Sequence, residues 1–350
     1  MGMVAVAPDP RFMAAALALA ERGRGRTAPN PNIGCVIVQR GRVVGRGWTQ
    51  PGGRPHAEAM ALAAAGEAAK RATAYVTLEP CAHDSPRGPA CSDLLIAAGV
   101  ASVVIALGDP DPRTDGQGIA RLRAAGIEVT TGVMAAEGWR SMAGFLTRRS
   151  LGRPHVTLKL ATSLDGCIAR ADGESKWITG DAARAHAHLE RARHEAILVG
   201  RGTYEADAPK LDVRLPGLEE YGPRRLILTR HAGLVPASNE QQGQSFGEGW
   251  TPAQGRGDGW ESVSAPDQIA TLDNVDHLLV EGGAGAASTF LAADLVDRLL
   301  LYRAPILIGG GKPALGDIGL GSLADAPSRW QLHDSRMLGI DRLEIYERTR

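Results

Sequence analysis

Short apolar runs rich in valine and isoleucine alternate with alanine-rich helical stretches along most of this chain. That alternation constrains the fold more than any other feature. Near the start, "RFMAAALALAERG" has the composition of a helix, and "IGCVIVQRGRVVGRGW" follows as a hairpin pattern with a polar turn at Arg40-Gly41. An alanine-rich helix is expected from His56 to Arg71. After it come strand "AYVTL", a loop with two close-set cysteines, a short helix over 92–98, strand "SVVIALG", helix "GIARLRAAG" and extended "IEVTTG". Strands alternating with helices predict a mostly parallel sheet flanked by helices.

At 350 residues the chain is too long for one core and suits two domains. The segment Arg148–Pro154 is polar, contains a proline and follows a helix, so it reads as the linker, with a boundary at 149/150. Beyond it the order repeats in kind. Strand 155–162 leads to helix 181–193, strands "EAILVG", "RRLILT" and "HLLVEGG", helix 285–293 and strand "RLLLYRAPIL". Residues 231–268, rich in Gly, Gln, Ser and Pro, read as a surface insertion with a short strand or two and carry no assigned chemistry. Aromatics make up only 4% against 44% apolar residues, so both cores must be aliphatic.

Several function classes are disfavoured. Basic and acidic residues balance at 39 each, which gives no electrostatic case for nucleic acid or an anionic membrane. The first 23 residues have no basic segment before their apolar stretch, and "PDPR" interrupts it, so they read as a first helix and not a signal peptide. No apolar run is long enough to span a membrane. Four cysteines, at 35, 81, 91 and 167, do not make a disulfide framework, and the cytoplasm is the expected compartment.

"RPHAEAM" places His56 and Glu58 two residues apart, which within a helix would separate them by about 200°. Both can serve one ligand if they lie at a helix start, and Pro55 suits a first-turn position. Downstream, "LEPCAHDSPRGPAC" supplies Cys81 and Cys91. Two thiolates and an imidazole are three good zinc ligands that leave a fourth position for water, the open arrangement of a catalytic zinc. Glu58, close but not coordinating, could then carry a proton from that water to a leaving nitrogen. His83, two residues from Cys81, is an alternative ligand. Taken singly the pieces are weak: an exposed helix face explains an H-x-E, and Cys91 alone reads as a small buried hydrophobe.

Together, the "HAE…PC…C" pattern resembles the zinc-dependent nucleobase deaminase signature, whose glutamate is acid/base and not a ligand. The usual form has about two residues between the cysteines; this chain has nine. The long loop resembles "EPCSHxGxTPPC" of the bifunctional riboflavin-biosynthesis deaminase-reductase family, though here it is one residue longer and lacks the threonine. Arg87 is the candidate basic contact in it. "TAPNPNIGCVIV" resembles the family's "SNPxVGxVIV" and implies Asn30 as a pyrimidine contact. "ALGDPDPRTDGQGI" resembles "xxDPNPxVxGxGI" and implies Asp109 and Asp111, the latter where the family often has Asn.

In the second half, "TLKLATSLDGCIARADGESKWITG" reads by itself as strand, turn and strand. "LLVEGGAGAASTFLAADLVD" sets a glycine cluster between a strand and a helix, where backbone N–H groups can meet a phosphate. Its G-G-x-G spacing, with no acidic ribose partner, disfavours a Rossmann fold. These stretches, with "ILVGRGTYEADAPKLDVR", are similar to "LKxAxSLDGxIA", "VEGG" and "ILVGxGTVxADxPxLxxR" of the reductase half of the same family. The resemblance implies substrate contacts at Ser175, Arg191, Leu211, Arg214 and Glu281. It implies NADPH contacts at Ala161, Trp177, Thr203, Asp207 and Gly283, with Lys159 and Asp165 lining the reacting centre. Arg191 and Arg214 suit a ribose phosphate.

The resemblance spans residues 9 to 348. It implies a cytidine-deaminase-like α/β/α domain over 1–149 and a dihydrofolate-reductase-like α/β domain over 150–350. The implied cofactors are one zinc and NADPH, and the implied substrates are phosphoribosylaminopyrimidines, deaminated and then reduced to the ribityl compound. The rivals are a cytidine or tRNA deaminase fused to an unrelated reductase, and a catalytically dead scaffold of this fold. The sequence is compatible with a homo-oligomer and does not fix one.

Overall fold

The computed structural model describes residues 8–83, 85–229 and 259–350. The chain divides into two compact units, Met1–Gly152 and Arg153–Arg350, three residues beyond the expected boundary.

The first unit runs α1 (Pro10–Ala20), β1 (Gly34–Gln39), β2 (Arg42–Trp48), α2 (Ala57–Ala65), β3 (Thr73–Leu78), α3 (Cys91–Ala97), β4 (Ser102–Leu107), α4 (Gln117–Ala124), β5 (Glu128–Thr131), α5 (Ala135–Ser141) and α6 (Ala143–Leu151). Its sheet has the order β2-β1-β3-β4-β5. Alternate residues of each strand enter opposite layers. Cys35, Ile37, Val103 and Ile105 pack with Ala57, Ala61, Leu95 and Leu122 of α2, α3 and α4. Val36, Val38, Val104 and Ala106 pack with Met13, Ala16 and Leu17 of α1. Three layers, helix on sheet on helix, are therefore built from a period of two.

The sheet is less parallel than expected. β3–β4 and β4–β5 are parallel, but β1 pairs antiparallel with both β2 and β3. The cause is the hairpin turn: Arg40 (φ 50°) and Gly41 (φ 74°) both adopt left-handed backbone, the tight turn that reverses a twisted ribbon. α2 ends at Ala65, short of the expected Arg71, because Gly66 leaves the helix at φ 53°. α6 continues to Leu151, so most of the expected linker is helical.

The second unit runs β6 (His155–Thr162), β7 (Cys167–Ala169), α7 (Asp181–Arg191), β8 (Ala196–Gly200), α8 (Arg201–Asp207), β9 (Arg224–Leu228), β10 (Trp260–Val263), β11 (His277–Val280), α9 (Ala284–Ala292), β12 (Arg298–Arg303), β13 (Lys312–Pro313), β14 (Trp330–Leu338) and β15 (Asp341–Arg348). Its main sheet has the order β10-β9-β8-β11-β6-β12-β15-β14. Only the β12–β15 and β15–β14 pairs are antiparallel. This closing hairpin was not read from the sequence, because its exposed β14 has no apolar core face to set a period of two. β12 stops at Arg303, two residues before Pro305, which cannot donate to a ladder. Of the expected insertion, 231–258 lies outside the described residues, and the remainder contributes β10. Among the described residues no helix is long and apolar enough to cross a membrane.

Candidate active sites

Close packing of small residues sets the first site. A Cβ on Gly45 or Gly47 of β2 would lie 2.2 Å from the Ala61 or Ala57 carbonyl oxygen, so α2 rests its backbone directly on the strand. The start of α2 is thereby fixed. His56 is its N-cap residue and Glu58 lies in its first turn, as the two-residue spacing required; Pro55 precedes the cap and is not in the first turn. Cys81 follows the end of β3 and Cys91 opens α3. The loop between them closes on itself, the Ser92 N–H and hydroxyl both donating to the Cys81 carbonyl at 3.2 and 3.0 Å.

His56 Nδ1 lies 3.2 Å from Cys91 Sγ and 3.7 Å from Cys81 Sγ, and the Cys91 N–H donates to Cys81 Sγ at 3.3 Å. The three ligand atoms lie within 4.8 Å of one another. A tetrahedral zinc about 2.0–2.3 Å from nitrogen and sulfur separates such donors by roughly 3.6 Å, so the set fits that ion. The two thiols act as one system. Hydrogen-bonded by Cys91, Cys81 is held down at about 4, while the same contact and burial push Cys91 up. His83 lines the cleft but is not among the clustered ligand atoms, and its buried Nδ1 has no hydrogen-bond partner among the described residues.

Glu58 is 1% exposed, and its Oε2 has no hydrogen-bond partner among the described residues. Burial pushes its carboxyl up to about 6, against a smaller downward pull from His56. A buried carboxyl with a free oxygen and a pKa near neutrality is what proton transfer requires.

The cavity beside this cluster has a volume of about 310 Å³ and brings together His56, Glu58, Cys81, Asn30, Arg87, Asp109 and Asp111, all named from the sequence. The Asn30 side-chain amide donates to the Gly53 carbonyl at 2.8 Å, and Arg87 NH1 to the Gly52 carbonyl at 3.1 Å. Asp109 is pushed up to about 6 by burial. Asp111 is held far below the usual range, first by its hydrogen bonds with Arg113 (2.7 and 3.0 Å), with Arg149 also at 3.0 Å. Arg54, Arg113 and Arg149 line the cavity and were not singled out. Arg54 could have been noticed as a cation two residues before His56. Arg149 comes from α6, and nothing in its spacing announces it.

In the second unit, Glu281 follows β11 and is buried against two cations. Arg191 of α7 donates to it from Nε at 2.7 Å and NH2 at 2.8 Å, and Lys159 Nζ of β6 lies 3.7 Å away. Burial pushes the Glu281 carboxyl up, but Lys159 and Arg191 outweigh it and hold the group at about 2. Arg191 NH1 also donates to the Asp212 carbonyl at 3.1 Å, as part of a knot that His188 completes. His188 Nδ1 is 3.0 Å from that carbonyl and accepts the Arg214 N–H at 3.3 Å. His188 was missed, although it lies three residues from Arg191 on the same helix face.

The glycine cluster lies where expected, with Gly283 as the N-cap of α9, and its N–H donates to Thr203 Oγ1 at 3.0 Å. Leu211 (φ 51°) is buried among Ile197, Tyr204 and Leu279. Ala161 pairs with Tyr302 across β6 and β12. Trp177 is exposed beneath Arg184, whose guanidinium is 4.6 Å from the ring centre, and Ser175 precedes it in the same loop. Asp207, at the end of α8, is exposed. Asp165 accepts from Ser163 Oγ at 2.5 Å and from the Ile308 and Gly309 N–H groups at 3.2 and 2.7 Å. Lys159, Arg191 and Glu281 are thus one cluster and Thr203 with Gly283 another, while among the described residues no hydrogen bond or ion pair joins Ser175, Trp177, Asp165 or Asp207 to either.

Comparison with known proteins agrees with both geometries. Residues 7–107 match the family described as the cytidine and deoxycytidylate deaminase zinc-binding region, and residues 154–342 match the RibD C-terminal domain. The riboflavin biosynthesis protein RibD of Escherichia coli is 42% identical, over 95% of this chain and 97% of its own. The solved structure of Acinetobacter baumannii RibD is similar with a TM-score of 0.81 at 37% identity, covering 97% of this chain and 99% of that one. A diaminohydroxyphosphoribosylaminopyrimidine deaminase/5-amino-6-(5-phosphoribosylamino)uracil reductase from Thermotoga maritima gives 0.80 at 33%, covering 97% and 98%.

Proposed function

The chain belongs to the RibD family of bifunctional riboflavin-biosynthesis enzymes, a zinc deaminase and an NADPH-dependent reductase in one polypeptide, and from that premise we propose what its residues do. The substrate is 2,5-diamino-6-(5-phosphoribosylamino)pyrimidin-4-one. Deamination at its 2-amino carbon gives the uracil, and reduction of the ribosyl unit gives 5-amino-6-(5-phosphoribitylamino)uracil.

In the deaminase cleft His56, Cys81 and Cys91 hold the zinc, which when bound supplies the Lewis acidity that makes water nucleophilic near neutral pH. Glu58 takes the proton of the attacking water and delivers it to the leaving nitrogen, so that ammonia departs. Asn30 and Asp109 orient the pyrimidine, and Arg87 receives the phosphate at the rim. Asp111 holds Arg113 and Arg149 in the cavity wall. The observation that carries this reading is the buried Glu58 Oε2, without a hydrogen-bond partner among the described residues, beside a donor set that fits zinc.

In the reductase unit Thr203 and Gly283 would hold NADPH, which when bound would supply the hydride for reduction at the ribose C1 carbon of the opened or imine form. The side chains act mainly by positioning. Lys159 and Glu281 line the reacting centre, and Ser175 and Leu211 border the sugar. Arg191 has committed both its Nε and NH2 to Glu281, so the phosphate contact falls to Arg214. Thr203 and Gly283 form the phosphate end of the cofactor site, with Ala161, Trp177 and Asp207 along it. Asp165 holds the 308–309 backbone by accepting its two N–H groups.

We read the enzyme as cytoplasmic and, given its balanced charge, as having no nucleic-acid partner; sedimentation tests whether copies associate. The function is tested by incubating the diaminopyrimidine with and without NADPH and identifying the products by mass. The uracil should accumulate without NADPH and the ribityl compound with it. An unchanged starting mass in both tubes would refute the proposal.

A further inference from the structure

We propose that Glu79 is a positioning residue of the deaminase cleft, which pins the 109–119 segment by accepting backbone N–H groups from both ends of its loop. The inference rests on the deaminase reading above. Glu79 follows β3, and its own N–H donates to the Leu107 carbonyl at 2.8 Å, extending the β3–β4 pairing by one residue. Its side chain is 1% exposed and both oxygens are used. Oε2 accepts the Asp109 N–H at 3.3 Å and the Gly116 N–H at 3.1 Å, and Oε1 accepts the Ile119 N–H at 3.0 Å.

Two of these donors are the N-cap and N3 positions of α4. That helix has no side-chain cap of its own, since its N-cap is Gly116. The side chain just after β3 therefore caps as a local Ser or Asp does elsewhere, on orphaned donors at the positive end of a helix. The fit is close: a Cβ on Gly118 would lie 2.0 Å from the Pro80 carbonyl oxygen and 3.2 Å from Glu79 Oε1. Asp109 at one pinned end and Asp111 between the two both line the cavity. Glu79 is two residues from Cys81, so one short segment sets the position of a metal ligand and of the opposite wall together. Glu79 itself borders the cavity, but both its oxygens are taken by backbone N–H groups, so its effect on substrate affinity comes through the wall it holds.

The test compares wild type with Glu79→Gln and Glu79→Ala for zinc content, amide hydrogen exchange and deaminase kinetics. Glutamine offers one acceptor oxygen in place of two, so at least one anchor is lost at nearly constant volume, and it remains the informative variant if the alanine protein does not fold. Expected is zinc at parity with wild type, exchange about tenfold faster at Asp109, Gly116 or Ile119 with the β4 amides unchanged, and KM up about tenfold with kcat within about threefold. Unchanged exchange at those amides overturns the inference, as does faster exchange with an unchanged KM. Loss of zinc with a fall confined to kcat also overturns it, because Glu79 would then support the metal site. Wild-type protein that releases no ammonia overturns the deaminase reading and this inference with it, whereas an active wild type with variants of equal KM overturns the inference alone.

Discussion

Arg191 grips Glu281 through both its Nε and NH2, at 2.7 and 2.8 Å, joining α7 to the end of β11 across 90 residues of sequence. The side chain of Glu281 is 6% exposed, and Lys159 Nζ lies 3.7 Å from Oε2, the oxygen that also accepts from Arg191 NH2. Such a site is costly to desolvate and stays folded only because each charge has a partner. It also leaves two cations facing one anion where an electron-rich cofactor and a phosphorylated substrate are proposed to meet.

Glu281→Gln should therefore leave the half-buried Lys159 and Arg191 underpaired, and lower the stability of the second unit by about 2 kcal/mol at pH 7. The sign of its pH dependence follows from a folded pKa of about 2 against an ordinary 4.5. The Glu281 contribution is present above about 4.5 and is lost as pH falls through about 2. Urea titrations at pH 7 and pH 3 should show the gap between wild type and variant shrinking at the lower pH, with ammonia release intact throughout the neutral range.

Asp109 gives the opposite sign. Its folded pKa is raised to about 6 from 3.8 by burial. Stability from the proton it retains is fully present below about 3.8 and is lost as pH rises through 6. Asp109→Asn, which cannot ionise, should stabilise the first unit at pH 7 on the order of 2 kcal/mol and by almost nothing at pH 4. Deaminase KM should rise at the same time, separating affinity from stability.

Metal content and proton transfer should separate cleanly. Freshly purified protein should carry about one zinc per chain, and His56→Ala or Cys91→Ser should lose most of it. Glu58→Gln should keep the metal and lose about a hundredfold or more of ammonia release. Elemental analysis beside an ammonia assay decides it; an active Glu58→Gln protein removes that carboxyl from the mechanism.

Thr203 presents a hydroxyl oxygen to the Gly283 N–H, so Thr203→Val leaves a donor unsatisfied at the helix start, a loss of about 1 kcal/mol. Placed on the cofactor, that corresponds to a KM for NADPH raised about fivefold, with the deaminase untouched. The unmodified enzyme should prefer NADPH to NADH, and stopped-flow oxidation of each with the deaminated substrate measures both.

That His56, Cys81, Cys91 and Glu58 come together was legible because coordination chemistry limits which side chains can take part, and the helix-start spacing left one arrangement for His56 and Glu58. The strand core was legible too, since Val36 and Ile37, or Val103 and Val104, alternate between layers by geometry alone. Other features were hidden for a physical reason. Arg149 reaches Asp111 from a helix that the sequence offered as a linker, and Glu79 caps α4 across 40 residues. Arg191, offered from the sequence as a phosphate contact, bridges Glu281 through both Nε and NH2. The sequence by itself determined which chemistry could occur, two α/β units and the zinc donor set. Only the tertiary structure decided which charges neutralise one another and which face the cavities, because that depends on contacts between segments far apart in the chain.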